Sequence, residues 1–388
     1  MERLRAARVV MPTRITGPAV VVIDGGRIVA IEPTSEPVPD LTLAPGFVDL
    51  QVNGIGSIDV AHAEGDDWNV LDRALLAQGV TTWCPTLVTA PLDSYAEPLE
   101  RIAAAAARDD GRVRPAIAGA HLEGPFLGGA PGAHPVDLIR PPDREWLAGL
   151  PSIVKVVTLA PESEGVIDCI ESLVATGVLV SLGHSTASYA QALDATAAGA
   201  RLVTHCFNGM APLHHREPGL VGAALTDDRL AVSVIADLVH VHAAAIAIAF
   251  RAKGAGQVVL VTDAVAWDRG TVGDAVRVTF DGTAPRLADG TLAGSALTMD
   301  KAVRNVVEHC GVSLLDAVHA AAATPARLLG LDDRGEILPG RRADLAALGP
   351  DLTVQATWVG GRAAEQLGAA PPIGTPVTSF RVRPTEQK

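Results

Sequence analysis

The sequence predicts an α/β fold: a (β/α)8 TIM-like barrel with a small β domain assembled from both ends of the chain. Three observations lead there. Eight apolar, β-branched runs alternate with Ala-rich, helix-like stretches through the middle of the chain. Short strands punctuated by Gly and Pro occupy both termini. The unusual polar residues fall at the C-terminal ends of the apolar runs, the rim on which barrel active sites are built.

In chain order, AVVVID (19–24) and RIVAIEP (27–33) flank Gly25-Gly26, a hairpin signature. ADLAALGP and VQATWVGGR mirror this near the other end, so residues 1–44 and 336–388 are expected to form one β domain around a barrel of 45–335. The barrel runs lie at 46–52, 79–89, 115–123, 153–159, 178–184, 202–207, 230–236 and 257–263. WNVLDRALLAQ, YAEPLERIAAAAA and YAQALDATAAG are helix-like separators. A doubly wound open sheet has the same periodicity. The placement of Glu123, His184, His205, His240 and Asp263 at strand ends favours the closed barrel.

Composition narrows the function. The 388 residues are 48% hydrophobic and 19% charged, a globular balance. Against 44 acidic residues stand 31 Lys and Arg, a net charge of −13, which argues against nucleic-acid or membrane-surface binding but not against a small anion held by a few placed cations. Cysteines 84, 169, 206 and 310 form no CxxC pair and read as reduced thiols. MERLRAARVVMPTRI lacks a signal-peptide core, and no apolar run reaches the roughly 20 residues of a membrane span. A cytoplasmic enzyme is expected.

Glu123 poses the chemical question. It ends an apolar run in HLEGPF, where a lone buried carboxylate is costly unless paired or bound to a metal. His184 and His205 end two later runs, and one carboxylate with two imidazoles is a catalytic zinc-type ligand set. The competing reading makes each histidine a core residue and Glu123 a helix cap; three such residues at strand ends favour the metal. Asp263, ending the last strand, is placed to act as general base and then acid. For LAGSALTMD, the purely structural reading is a Gly turn followed by a Ser cap on a helix, which does not exclude a functional one.

PGFVDLQVNG, HLEGPF followed by GAH, LGHS, THCFNGM with REPG, VTDA and LAGSALTMDKAVRNVVEHCG occur in that order. Together they resemble the N-acetylglucosamine-6-phosphate deacetylases of the amidohydrolase superfamily, over nearly the whole chain. The resemblance implies a terminal β-sandwich and deacetylation of N-acetyl-D-glucosamine 6-phosphate to glucosamine 6-phosphate and acetate by metal-activated water. It implies one divalent metal per subunit on Glu123, His184 and His205, since Gln51-Val52-Asn53 stands where many amidohydrolases carry His-x-His. Zn2+ is the expected ion, with Fe2+, Co2+ or Mn2+ compatible, and Gln51 and Asn53 are expected to line the site.

By the same resemblance, His134 hydrogen-bonds the acetamide carbonyl beside Ala133, and Asn208, Gly209, His240, Leu292, Ala293 and Gly294 contact the substrate. Arg216 binds its phosphate, reaching the site of a neighbouring subunit in a homodimer. The chain departs from the family at Leu238, where glycine is usual, at Gly209, where alanine is usual, and at Ala264-Val265-Ala266-Trp267. These changes bear on substrate preference. Another N-acyl amino sugar or a cyclic amide is therefore the nearer alternative, and a scaffold that has lost its metal the further one.

Overall fold

The computed structural model describes residues 1–365. The part of the expected β domain beyond residue 365 lies outside the described residues.

Eight parallel strands form the barrel: Phe47–Val52, Val80–Val88, Ala120–Glu123, Val154–Leu159, Leu179–Leu182, Leu202–Val203, Ala231–Ile235 and Val258–Val261. Each pairs in register with the next. A parallel bridge from Val52 to Ala264 closes the ring. Strand faces that are buried on both sides explain why these segments read as continuous apolar runs rather than alternating ones. Helices follow the strands on the outside, among them Asp67–Ala77, Ala96–Ala106, Val166–Ala175, Tyr189–Ala197 and Ala243–Lys253. One large apolar cluster joins barrel and helices.

The ends of the chain do meet. Thr42–Pro45 pairs antiparallel with Leu345–Leu348, within a six-stranded sheet. Ala19–Asp24 and Arg27–Pro33 form the expected hairpin, with positive φ at Gly25 and Gly26 as a tight turn there demands. A second apolar cluster draws Ala6, Val21 and Ile28 from one end of the chain and Ile337, Leu345 and Ala347 from the other.

Two strand runs depart most from their sequence patterns. The 115–123 run breaks at Gly119 into Ala116–Ile117 and Ala120–Glu123, and the 202–207 run ends at Val203. Ser295 does not cap the following helix; its hydroxyl donates to the Thr262 carbonyl at 2.5 Å, tying that turn to the last barrel strand. Residues 265–294 carry two short hairpins and a satellite apolar cluster of Val265, Val272, Val276, Val278 and Ala293, packed against Val88 and Ala133 at the barrel mouth.

Candidate active site

Glu123 is the last residue of its strand, and His184, His205 and Asp263 each sit two residues past theirs. The latter three have positive φ: 50° at His184, 29° at His205 and 49° at Asp263. Non-glycine residues in that region cost of order 1–3 kcal/mol each and cluster at functional sites. The strain is held by the surroundings. The His205 amide donates to Ser233 Oγ at 2.7 Å, the Asp263 amide to the Gln51 carbonyl at 3.0 Å, and the Ser295 amide to the Asp263 carbonyl at 2.8 Å.

The four side chains converge below the mouth. Glu123 Oε1 lies 3.1 Å from His184 Nε2 and 2.8 Å from His205 Nε2, and the two Nε2 atoms are 3.1 Å apart. The Ala130 carbonyl faces His184 Nδ1 at 3.3 Å, which keeps the ring proton there and turns the Nε2 lone pair inward. Three electron-rich atoms thus share one point. Burial alone would raise Glu123, yet its imidazole partners outweigh it and hold the carboxyl below the usual range. Burial opposes charge on His205, but the hydrogen bond and charge of Glu123 push it up to about 8.

These residues fit a divalent cation. Tetrahedral zinc with bonds of about 2.0–2.2 Å sets neighbouring ligand atoms about 3.3 Å apart, close to the observed spacings. Glu123, His134 and His184 also offer one ligand atom each within 4.8 Å of one another. His134 is the looser member, with Nε2 3.9 Å from Glu123 Oε2 and Nδ1 engaged by Thr89 Oγ1 at 2.8 Å.

Gln51 and Asn53 serve the carboxylates. Gln51 Nε2 donates to both Glu123 Oε1 and Asp263 Oδ1, each at 3.0 Å, and Asn53 Nδ2 donates to Asp263 Oδ1 at 2.7 Å. Asp263 Oδ1 is thereby pinned and Oδ2 left free. Burial, reinforced by the charge of Glu123, raises Asp263 to about 7. His134 is driven down to about 3 by burial and by His184, so it is a neutral imidazole. Nδ1 is engaged by the Thr89 hydroxyl, which leaves Nε2 facing the cleft. His240 is clamped by Asp237, whose Oδ2 meets Nδ1 at 2.7 Å and whose Oδ1 accepts the Val239 and His240 amides. Leu238, between them, takes φ 66°, a left-handed turn that glycine enters without strain.

The cleft above is lined by Asn53, Glu123, Ala133, His134, His184, His205, Asn208, Gly209, His240, Asp263, Leu292, Ala293 and Gly294. Every substrate or metal candidate from the sequence is therefore at one place except two. Gln51 is buried beneath the cleft, and Arg216 lies exposed on the 211–218 loop, with Nη1 2.8 Å from His215 Nε2. Sequence reasoning missed Val88, Gly132, Ile235, Val272, Val276 and Thr291, which line the walls with Val265. Glycines at 270, 273, 282 and 290 were the available signal for the hairpins that carry several of them.

A closed parallel barrel with a carboxylate–imidazole cluster and a free aspartate at its C-terminal rim defines the class of metal-dependent barrel hydrolases. The chain belongs to the amidohydrolase family, which it matches over residues 42–364. It is 41% identical over 357 residues to N-acetylgalactosamine-6-phosphate deacetylase of Escherichia coli O157:H7, covering 88% of this chain and 93% of that one. Among solved structures it resembles N-acetylglucosamine-6-phosphate deacetylase of Thermotoga maritima, with a TM-score of 0.87, 34% identity, and 93% and 99% of the two chains covered. The Mycobacterium smegmatis deacetylase has been solved as an aspartate-to-alanine mutant in complex with N-acetyl-D-glucosamine-6-phosphate. It has a TM-score of 0.83 at 33% identity, covering 93% of this chain and 98% of that one. Among the described residues, no helix is long and apolar enough to cross a membrane.

Proposed function

We propose that this chain is a hydrolase removing the acetyl group from N-acetyl-D-glucosamine 6-phosphate, giving glucosamine 6-phosphate and acetate. The observation that carries the reading is the meeting of Glu123, His184 and His205 at one point beside Asp263, whose second oxygen is free. Glu123, His184 and His205 would hold one divalent cation, zinc being the best match to an N2O set. Such a cation, when bound, polarises the amide carbonyl and makes water a nucleophile near neutral pH.

The chain's own residues supply the remaining steps. Asp263 Oδ2 accepts a proton from the attacking water and delivers it to the departing sugar nitrogen. Burial, reinforced by the charge of Glu123, raises this carboxyl above the usual carboxylate range, which favours its taking up the proton. His134, neutral with Nε2 facing the cleft, donates to the carbonyl oxygen as charge develops on it, beside Ala133. Asn208, Gly209, His240, Leu292, Ala293 and Gly294 enclose the sugar.

Phosphate needs a cation that the cleft walls do not provide, since among the described residues lining them there is no lysine or arginine. Arg216 on its exposed loop is the candidate, acting in the cleft of a second copy in a homodimer. A guanidinium fork suits phosphate oxygens. We divide the chain into a β domain, 1–44 with 336 onward, and a barrel, 45–335, a division supported by the second apolar cluster drawn from both ends. Four free, buried cysteines accord with a reducing cytoplasm.

The 41% identity to an N-acetylgalactosamine-6-phosphate deacetylase favours one second reading, the galacto epimer as substrate. Parallel rates of acetate release from both 6-phosphates by zinc-loaded protein test the two. Release from neither would refute both.

A further inference from the structure

Glu162 lies just past the fourth barrel strand, Val154–Leu159, and points at neither the metal ligands nor the cleft. Its carboxylate nevertheless collects donors from two loops that do. Oε1 accepts the Gly129 amide at 3.0 Å and the Thr186 amide at 2.7 Å, with the Thr186 hydroxyl at 3.4 Å. Oε2 accepts the Ser185 hydroxyl at 2.6 Å.

The first loop, 128–134, ends in His134; the second begins at His184. They are also joined directly, by the Gly128 amide to the His184 carbonyl at 2.8 Å and by His184 Nδ1 to the Ala130 carbonyl at 3.3 Å. The fit is tight. A Cβ on Gly128 would stand 2.1 Å from Glu162 Oε1, and one on Gly129 would stand 2.4 Å from Thr186 Oγ1. Two glycines in succession let the backbone close onto the carboxylate.

We infer that Glu162 is a positioning residue that fixes His184 for metal binding and seats the His134 loop over the cleft. This rests on the reading of Glu123, His184 and His205 as the metal set. The physical path is short. Glu162 holds Gly129, Gly129 fixes the Ala130 carbonyl, and that carbonyl orients the His184 ring and keeps its proton on Nδ1. The Ala130 carbonyl is the partner one step behind His184, a position that typically contributes about 10- to 100-fold in metal affinity, and Glu162 acts through it.

The test compares Glu162→Ala and Glu162→Gln with the unmodified chain. Glu162→Ala removes the acceptor for all of these donors. Glu162→Gln keeps an oxygen for the Gly129 and Thr186 amides and offers its NH2 to the Ser185 hydroxyl, so it should rescue. Zn2+ affinity is measured by competition with a chromophoric chelator, and the visible spectrum of the Co2+-loaded protein reports ligand geometry. Zinc affinity about 10-fold weaker, the low end of that range because Glu162 acts through the Ala130 carbonyl, and shifted Co2+ bands are expected for Glu162→Ala, with most of both restored in Glu162→Gln. Unchanged affinity and spectrum in a folded Glu162→Ala overturn it, as does equal loss in both variants. Should Glu162→Ala not fold, Ser185→Ala decides: it deletes one donor and should weaken zinc by a smaller factor, whereas unchanged affinity overturns the inference. If the unmodified chain binds zinc but deacetylates no sugar phosphate, the proposed function fails while the zinc measurement still judges Glu162.

Discussion

Gly209→Ala should disturb the Glu123, His184 and His205 cluster, the proposed metal site, without replacing any of its members. Gly209 has φ 57° and lies against the His184 ring, where an added Cβ would stand 2.8 Å from Nδ1 and 3.0 Å from Cε1. Restoring ordinary contact, about 3.4 Å or more, requires the ring to move roughly 0.6 Å unless the loop moves instead. Such a shift strains the Nδ1 bond to the Ala130 carbonyl and swings Nε2 away from Glu123 and His205. Two costs follow. Alanine in the left-handed region costs about 1 kcal/mol, which lowers the unfolding free energy of the metal-free protein. Loss of ring alignment weakens zinc by about 10- to 100-fold, roughly 1.4–2.7 kcal/mol. Chelator competition measures the second and denaturant unfolding of the chelator-treated protein the first. Native zinc affinity in Gly209→Ala, with only the stability loss, would refute the reasoning. It would mean that the 205–210 turn relaxes instead of His184.

Four further outcomes are expected. Asp263→Asn keeps both amide donors on Oδ1 but cannot take or give a proton, so kcat falls by about 10²- to 10⁴-fold while zinc content stays near one per chain; a loss below tenfold would contradict the assignment. Glu123→Ala should leave the purified protein without stoichiometric metal, as read by elemental analysis. Arg216→Gln should raise KM for the 6-phosphate far more than for the unphosphorylated sugar, and equal effects on both would remove its phosphate role. Asp49 is fully buried, and desolvation raises it to about 7 although Thr262 and Gln51 donate to it. The folded state therefore holds that proton where the unfolded chain has lost it. This site's contribution to stability falls as pH rises from about 4 to 7, by up to about 4 kcal/mol. Asp49→Asn should gain more stability relative to the parent at pH 8 than at pH 5, and a difference that does not change with pH would contradict this.

The barrel and the polar cluster at its rim were legible because burial made them conspicuous. Polar residues such as Glu123, His184 and His205 have few reasons to end apolar strands, and Gly25-Gly26 between two β-branched runs has a strong hairpin preference. Strand lengths were less legible, and the site itself is the reason. His205 and Asp263 adopt left-handed φ where they face the cluster, and the ladder ends two residues before each of them. Leu238 is a similar case: its φ of 66° is held by Asp237, which accepts the next two amides, and nothing about a leucine announces such a turn. The 265–294 segment escaped because its strands are two residues long, too short for period-2 alternation to register. Glu162 escaped for a different reason. Its importance lies in backbone donors from distant loops, and no residue pattern encodes those.

The account stands most directly on the initial rate of acetate release from N-acetyl-D-glucosamine 6-phosphate by zinc-loaded protein, with the unphosphorylated sugar and the galacto 6-phosphate run in parallel. It predicts rapid turnover of the gluco 6-phosphate, much slower turnover of the sugar lacking phosphate, and loss of both on chelation. Equal rates with and without phosphate would contradict the anion role given to Arg216. No release from any of the three by fully metal-loaded protein would contradict the deacetylase itself.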